Sequence, residues 1–140
     1  MVKEINKDTE SLSQVSVPFD FEDEKDMELV QDMLDTAEAH KENCVGLAAI
    51  QVGVPKRVIL VRHGDKFVPY INPMIIAKSP KTYLAEEGCL SLDGTRKVQR
   101  HLLIKVVWSD IRGKRHVKEF KGFTAQILQH EIDHCKGLLI

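Results

Sequence analysis

The sequence predicts an α+β fold in which antiparallel β-hairpins surround a buried C-terminal helix. Two pairs of strand-like segments indicate the hairpins, "KRVILV" with "KFVPYIN" and "LLIKVVW" with "KRHVKEF". A third observation is the segment "GFTAQILQHEIDHCKG", whose apolar residues are not confined to one stripe of the predicted helix. A helix with apolar residues on most of its sides is expected to be buried, which places this one at the centre of the fold.

The N-terminal part of the chain contains one long predicted helix. The first twenty residues look irregular, whereas the segment "FEDEKDMELVQDMLDTAEAHKEN" has a helical pattern. Its residues Met27, Val30, Leu34 and Ala37 recur at spacings of three and four, which predicts that they form the buried face. Acidic residues in the first turn suit the positive end of the helix dipole.

Short polar and glycine-containing segments mark the connections. The first hairpin is expected to turn at residues 63–65, and the second at "SDIRG". The segment "MIIAK" predicts a third short strand, and "KTYLAEEGCLSL" is expected to lead into a loop at Asp93 and Gly94. The final helix is predicted to lie between Gly122 and the stop signal Gly137.

Length and composition fit one globular domain, residues 1–140. Hydrophobic residues make up 43% of the 140 residues and charged residues 29%, and the formal net charge is -1. This balance carries no electrostatic signature of sequence-specific nucleic-acid binding. No apolar run is long enough to span a membrane, and the first residues lack the apolar core of a secretory signal. The three cysteines are odd in number and widely spaced, so they do not form the pattern of a disulfide framework. This cysteine usage fits a protein of the reducing cytoplasm.

The last helix carries the pattern H-E-x-x-H, formed by His130, Glu131 and His134. Histidines four residues apart on a helix lie on one face and can bind one metal ion, with the glutamate beside them as a general base. A catalytic metal site typically has three protein ligands and keeps a fourth position for water. Two histidines and a glutamate are costly to bury unless a charge compensates them, and a metal cation would do so.

The third ligand is not evident from this motif. The chain ends at Ile140, six residues after His134, so the ligand is expected upstream. Cys135 directly follows His134 and points about 100° away from it on a helix, which excludes the thiol of Cys135. Cys44, Cys89, the free carboxylates and the other histidines remain open at this point, and two histidines with one thiolate form an established catalytic set.

Three short segments carry a resemblance to a known family. The chain contains "VGLAAIQ" at 45–51, "EGCLS" at 87–91 and "QHEIDH" at 129–134. In this order and spacing they resemble the signature motifs of peptide deformylases, which remove the formyl group from the N-terminal methionine of new bacterial proteins. The resemblance spans nearly the whole chain. It implies an α+β fold with antiparallel sheets wrapped around the motif helix, in agreement with the apolar pattern of that helix.

The resemblance implies the metal site and the general base. Cys89, His130 and His134 match the family's metal ligands, and Glu131 matches its general acid and base. The implied cofactor is one divalent metal ion per chain. The family's metal is Fe²⁺ in cells, and Ni²⁺, Co²⁺ or Zn²⁺ can replace it, so the resemblance implies the same ions here.

The resemblance also implies the groups that meet the substrate. Gln51 and the backbone N–H of Leu90 match the groups that stabilise the developing oxyanion. Gly46 matches a backbone contact to the formyl group and the peptide. An apolar pocket for the methionine side chain is expected beside the motifs, lined by Val45, Phe123 and Ile127.

The chain departs from the family pattern at Cys44, where the first motif usually has its first glycine. One interpretation is that the thiol simply packs in a variant of the family. The other is that it narrows the site, or pairs with Cys89 on oxidation. Near the second motif, Glu87, Arg96 and Arg100 are expected either to orient Cys89 or to stand as exposed charges on a loop.

The expected substrates are N-formylmethionyl nascent peptides. Many bacterial deformylases continue into a further helix, associated with ribosome contact, beyond the point at which this chain ends, so the resemblance leaves ribosome contact open. Two other functions remain: an amide hydrolase with another substrate, and a weakly active metal-binding regulatory relative. Retention of Glu131 and Gln51 favours an enzyme, because a binding module needs neither a general base nor an oxyanion donor.

Overall fold

The computed structural model describes residues 1–140 and confirms the α+β prediction. Its helices and strands are α1 (Thr9–Leu12), α2 (Glu24–Ala39), β1 (Gly46–Ala48), β2 (Val58–His63), β3 (Lys66–Lys78), β4 (Thr82–Cys89), β5 (Leu92–His101), β6 (Leu103–Ser109), β7 (Arg115–Lys121) and α3 (Gly122–Cys135). A 3₁₀ turn, Ala49–Val52, follows β1. Five strands form one antiparallel sheet in the order β1-β2-β3-β6-β7, and β4 pairs with β5 in a separate hairpin.

The five-stranded sheet is covered by apolar packing on both faces. Strand β2 begins with four consecutive apolar residues, all fully buried. Val58 and Leu60 pack into the core that contains α2, whereas Ile59 and Val61 pack into the core that contains α3. Successive residues of a strand point to opposite faces, so a strand without a polar face requires a cover on each side.

Helix α3 is the buried helix that its sequence predicted. Nine of its fourteen residues are buried, including both histidines and the glutamate of the motif. It starts at Gly122, whose φ of 67° makes the sharp turn out of β7, and Gly137 with φ 78° follows its end. No helix of the protein combines the length and the apolar character needed to cross a membrane.

Helix α2 is shorter than predicted, and its buried face is rotated. Val30 and Ala37 are buried as expected, but Met27 is 37% exposed. Val30 and Ala37 belong both to the predicted face and to the face that is buried. Packing against the sheet decides which other residues of the helix are buried. Leu29 and Met33 are the additional buried apolar residues, and Leu34 is partly buried and packs against the same core.

Two strand predictions were wrong, although both predicted hairpins are present. The segment "MIIAK" is not a separate strand, because β3 continues through an irregularity at Asn72, a non-glycine residue with φ 50°. Asp93 and Gly94 lie within β5 rather than in a loop. The chain reverses at Leu90 and Ser91 instead, and a register shift between Gly88 and Cys89 adjoins this turn.

Candidate metal centre and active site

A thiol from the β4–β5 hairpin meets two imidazoles from α3. The potential ligand atoms of Cys89, His130 and His134 all lie within 4.8 Å of one another. Cys89 Sγ is 3.5 Å from His134 Nε2. Metal–sulfur bonds of about 2.3 Å and metal–nitrogen bonds of about 2.1 Å separate S and N by about 3.6 Å in a tetrahedral site. The three donors are therefore spaced to hold one small divalent cation.

A buried ion-pair network sets the orientation of His130. Arg100 donates to both oxygens of Glu87, at 2.8 and 2.7 Å, and Glu87 Oε1 lies 2.8 Å from His130 Nδ1. Burial alone would raise the pKa of Glu87, but hydrogen bonds from Arg100 and His130 lower it to about 2. The ionised carboxylate only accepts, so His130 Nδ1 carries the hydrogen. His130 Nε2 is thereby left as the metal-binding atom.

This network differs from the predicted one. Glu87 and Arg100 act on His130 rather than on Cys89, and Arg96 takes no part. The sulfur of Cys89 instead accepts from the side chain of Gln51 at 3.2 Å and from the backbone N–H of Ser91 at 3.4 Å. Both contacts suit a thiolate, which is the metal-binding form of cysteine.

Glu131 is buried beside these ligands, with one oxygen unsatisfied. The residue is 4% exposed, and Oε1 has no hydrogen-bond partner in the protein. Burial raises the pKa of this carboxyl to about 7. A buried oxygen without a partner is rare, and in a cavity it marks a position where a reacting group can bind.

The electrostatics around His130 favour a cation, whereas burial lowers the pKa of His134 to about 3 and keeps that imidazole neutral, the form that binds a metal. Burial lowers the pKa of His130, but the carboxylate of Glu131 and hydrogen bonds to Cys89 and Glu87 outweigh burial and raise this pKa to about 10. The surroundings that attract a proton would also attract a metal ion. The types of ligand atom, the distances between them and the negative charge around His130 therefore all fit a divalent metal ion.

The ligands open onto a cavity of about 570 Å³. Val45 and Phe123 are 42% and 60% exposed at its mouth, and Ile127 is buried in its wall. Nine of the ten predicted site residues line this cavity; His134, fully buried, is the exception. The nine are Val45, Gly46, Gln51, Cys89, Leu90, Phe123, Ile127, His130 and Glu131.

Gln51 is held by its own segment. Its Oε1 accepts from the backbone N–H of Ala48 at 2.9 Å, which closes the 3₁₀ turn. Its Nε2 therefore points away from that turn, 3.2 Å from Cys89 Sγ and 3.3 Å from Ser91 Oγ. The side-chain amide of Gln51 thereby connects the first motif, at 45–51, with Cys89 and Ser91 of the second motif, at 87–91.

Cys44 packs in the core instead of joining the metal ligands. It is 2% exposed, it belongs to the apolar core that contains α2, and its Sγ lies 3.2 Å from the carbonyl oxygen of Gly46. Burial raises the pKa of this thiol to about 12, so it stays protonated near neutral pH. These observations favour the packing interpretation of the substitution.

Sequence reasoning missed several polar contacts of α3. Asp133 binds Arg100 at 2.6 Å, Gln129 binds the backbone of β5, and Gln126 binds Tyr83 at 3.0 Å. The signal was present in the sequence, because positions 126, 129, 130 and 133 follow the spacing of one helix face and all four residues are polar.

Replacing Gly46 with alanine is expected to reduce activity. The added methyl group would lie 2.7 Å from Glu131 Oε2 and 2.8 Å from Ile127 Cγ2, so Glu131 must move. On the general-base role that the resemblance implies for Glu131, we expect kcat to fall by about 100-fold, the effect of a small displacement of a reacting group. Gly88→Ala is the matched control, since its nearest neighbours lie at 3.8 and 3.9 Å. Equal kcat values for the two variants would contradict the close approach.

Comparison with known proteins gives a consistent result. The polypeptide deformylase family model matches residues 2–140. A peptide deformylase of Clostridium beijerinckii is 44% identical over 140 residues, covering 100% of both chains. One of Rhizobium meliloti is 40% identical over 134 residues, covering 91% of this chain and 76% of its own.

Two crystal structures share the fold. Peptide deformylase from Thermotoga maritima superposes with a TM-score of 0.89 at 34% identity, over 99% of this chain and 95% of its own. The Met-Ala-Ser bound class I type b enzyme from Acinetobacter baumannii gives 0.89 at 32% identity, over 99% and 97%. The chain therefore belongs to the peptide deformylase family, hydrolases that remove the N-formyl group from the N-terminal methionine of newly made proteins.

Proposed function

We propose that this chain acts as one catalytic domain, residues 1–140, on N-formylmethionyl nascent peptides in the cytoplasm. In this proposal Cys89, His130 and His134 bind one divalent metal ion. The ion is Fe²⁺ in cells, and Ni²⁺, Co²⁺ or Zn²⁺ can replace it. The observation that carries the proposal is the convergence of one thiol and two imidazoles beside the unpaired carboxylate of Glu131, within one cavity.

Glu131 is proposed as the general acid and base. A divalent ion bound at this site would polarise the formyl carbonyl and lower the pKa of a water molecule. Glu131 Oε1 has no partner in the protein and is free to accept the proton of the attacking water. The same carboxyl then delivers that proton to the nitrogen of the departing amine.

Gln51 and Leu90 are proposed to stabilise the oxyanion. Attack on the formyl carbon places negative charge on its oxygen, and N–H groups aimed at that oxygen lower the barrier. Gln51 Nε2 and the backbone N–H of Leu90 are the two donors assigned to this role, and both residues line the cavity. One such donor contributes about 3 kcal/mol of transition-state stabilisation.

The selectivity for a formyl group is attributed to space around Gly46. The positions of Glu131 and Ile127 leave no room for a methyl group on Gly46. Formyl is the smallest acyl group, so a close-fitting pocket admits it and rejects acetyl. The A. baumannii relative was crystallised with Met-Ala-Ser, a tripeptide that begins with methionine, which supports a methionyl peptide as the substrate here.

Hydrolysis of formyl-Met-Ala-Ser by protein loaded anaerobically with Fe²⁺ or Ni²⁺ tests this function. We expect kcat/KM of about 10⁴ M⁻¹s⁻¹ or more, within the usual range of enzymes. Acetyl-Met-Ala-Ser is the control substrate and is expected to remain intact. A protein with one metal per chain that hydrolyses neither peptide would point to another acyl substrate or to a regulatory relative.

Substitution of Phe123 by aspartate is expected to raise KM for the methionyl peptide. Phe123 is 60% exposed at the mouth of the cavity, so the change removes apolar contact area without opening the core. We expect KM to rise by about tenfold, the effect of losing about 1.4 kcal/mol of binding, with kcat little changed. Ile127→Asp, in the wall of the same cavity, is also expected to raise KM for the methionyl peptide. An unchanged KM in the Phe123 variant would remove this residue from the proposed methionine pocket.

A further inference from the structure

The metal donors belong to two parts of the protein that share no backbone hydrogen-bond ladder. Cys89 lies at the end of the β4–β5 hairpin, which is separate from the five-stranded sheet, whereas both histidines lie on α3. Near this hairpin's turn, Leu90 and Leu92 pack against the apolar cores, and Ala85 in the middle of β4 is buried as well. Apolar burial therefore extends from the turn to the middle of β4, whereas the open end of the hairpin, at Thr82 and His101, has no buried apolar residue and depends on other contacts with α3.

Those contacts come from the polar face of α3, a term used here for the side chains at positions 126, 129, 130 and 133. At successive turns of the helix these residues reach Tyr83, the backbone of His101, Glu87 and Arg100. All four partners belong to the β4–β5 hairpin. Hydrogen bonds are directional, so this face sets the position of the hairpin along and around the helix more strictly than apolar contact would.

Gln129 makes the one backbone contact in this set. Its Oε1 accepts from the N–H of His101 at 2.8 Å, and its Nε2 donates to the carbonyl of His101 at 3.0 Å. Nε2 also donates to the carbonyl of Ala125 at 3.0 Å, which holds the amide against its own helix. The side chain thus pairs with β5 at its outer edge as a neighbouring strand would.

The position of Gln129 links this contact to the metal site. It is 4% exposed, and a peptide bond joins it directly to His130. His101 ends β5 and pairs with Thr82, at the opposite end of the hairpin from Cys89. A shift of the hairpin by one helical turn would displace it by about 5.4 Å, more than a metal–ligand bond length. At that end the hairpin is also connected to β3 through residues 79–81 and to β6 through Leu102. The contact at His101 adds a direct tie from this end to α3, which opposes such a shift.

We propose that Gln129 is a positioning residue that sets where Cys89 lies relative to His130 and His134, through its two hydrogen bonds to the backbone of His101. This inference rests on the proposed metal site. Gln129 itself touches neither metal nor substrate in this proposal. Loss of its hydrogen bonds to His101 is therefore expected to lower the metal affinity and to change the geometry of the thiolate ligand.

The test compares Gln129→Met with Val106→Ala. Methionine has nearly the length of glutamine but lacks its hydrogen bonds to His101. Val106 is fully buried in the five-stranded sheet, so its truncation lowers stability without touching the polar face of α3. Metal affinity is measured by competition with a chelator, and the Co²⁺-loaded proteins are examined for the thiolate-to-metal absorption band.

We expect Gln129→Met to weaken metal binding by about tenfold or more and to reduce the thiolate band, as supporting residues of metal sites do. Val106→Ala is expected to lower Tm while keeping the parent's metal affinity and spectrum. Affinity within about twofold of the parent and an unchanged band in Gln129→Met would overturn the proposal. A parent protein that binds no metal would instead contradict the metal site itself.

A measurement on the unmodified protein covers the case in which Gln129→Met fails to fold. If the contact and the metal site are coupled, each stabilises the other to the same extent. Hydrogen exchange at the His101 amide is then expected to slow on metal addition, more than exchange at amides of the β6–β7 pair. Equal slowing of both sets, or none at His101, would overturn the proposal.

Discussion

Glu131→Gln is expected to lower kcat by about 10³-fold while the protein keeps its metal. Glutamine has the shape of glutamate, but its amide neither takes a proton from water nor returns one to the leaving amine. The carboxyl is buried, and Oε1 has no partner that an amide would disturb. The measurement is kcat with formyl-Met-Ala-Ser, together with metal content per chain.

As a control, the Tm and the metal content per chain of the Glu131→Gln variant are compared with those of the parent protein. Glu131 is not among the three proposed ligands, so one metal per chain should remain and Tm should change by only a few degrees. If kcat stays within about tenfold of the parent, the carboxyl is not the proton carrier and the proposed mechanism fails. If the metal is lost as well, Glu131 has a role in binding it.

Cys89→Ser is expected to weaken metal binding severely and to abolish activity. A serine hydroxyl stays protonated near neutral pH and is a poor ligand, whereas the cysteine thiolate supplies both charge and a strong bond. We expect the metal dissociation constant to rise by about 100-fold or more, since loss of a direct ligand should cost at least as much as loss of a supporting residue. Metal content after dialysis and the activity of the reloaded protein measure this effect.

Cys44→Gly is the matched control, because it removes the other thiol on the cavity wall and restores the glycine usual in the family. Cys44 packs in the core that contains α2, so the change should cost about 1–3 kcal/mol of stability through the cavity it leaves. Metal content and kcat should remain close to those of the parent. The reverse result, with Cys44 essential and Cys89 dispensable, would exchange their assigned roles.

The polar face of α3 accounts for a feature of the sequence that hydrophobic patterning does not explain. A helix that is buried on most of its sides normally presents apolar residues there, yet this one buries Gln129, His130 and Glu131 in succession. Each of the first two is paired with the β4–β5 hairpin, so the cost of burying them is offset by hydrogen bonds. Glu131 alone keeps an unpaired oxygen, which is typical of a reactive group.

Much of the fold followed from local pattern. Both predicted hairpins and the limits of α3 were correct, because turn residues and terminal glycines act over a few residues. The pairing of β4 with β5 was missed, because Gly94 suggested a loop where the structure has a strand. The buried face of α2 was predicted only in part. The predicted face and the buried face share Val30 and Ala37, and only the contact with the sheet distinguishes them.

The sequence by itself determined the family, because the three motifs combine residue types and spacings that few other functions require, and the resemblance predicted which residues are reactive. It did not determine which partner orients which ligand. Glu87 is two residues from Cys89 in the chain but contacts His130, 43 residues away. Such contacts depend on how the hairpin lies against α3. That arrangement follows from the packing of the whole chain, which no local pattern specifies.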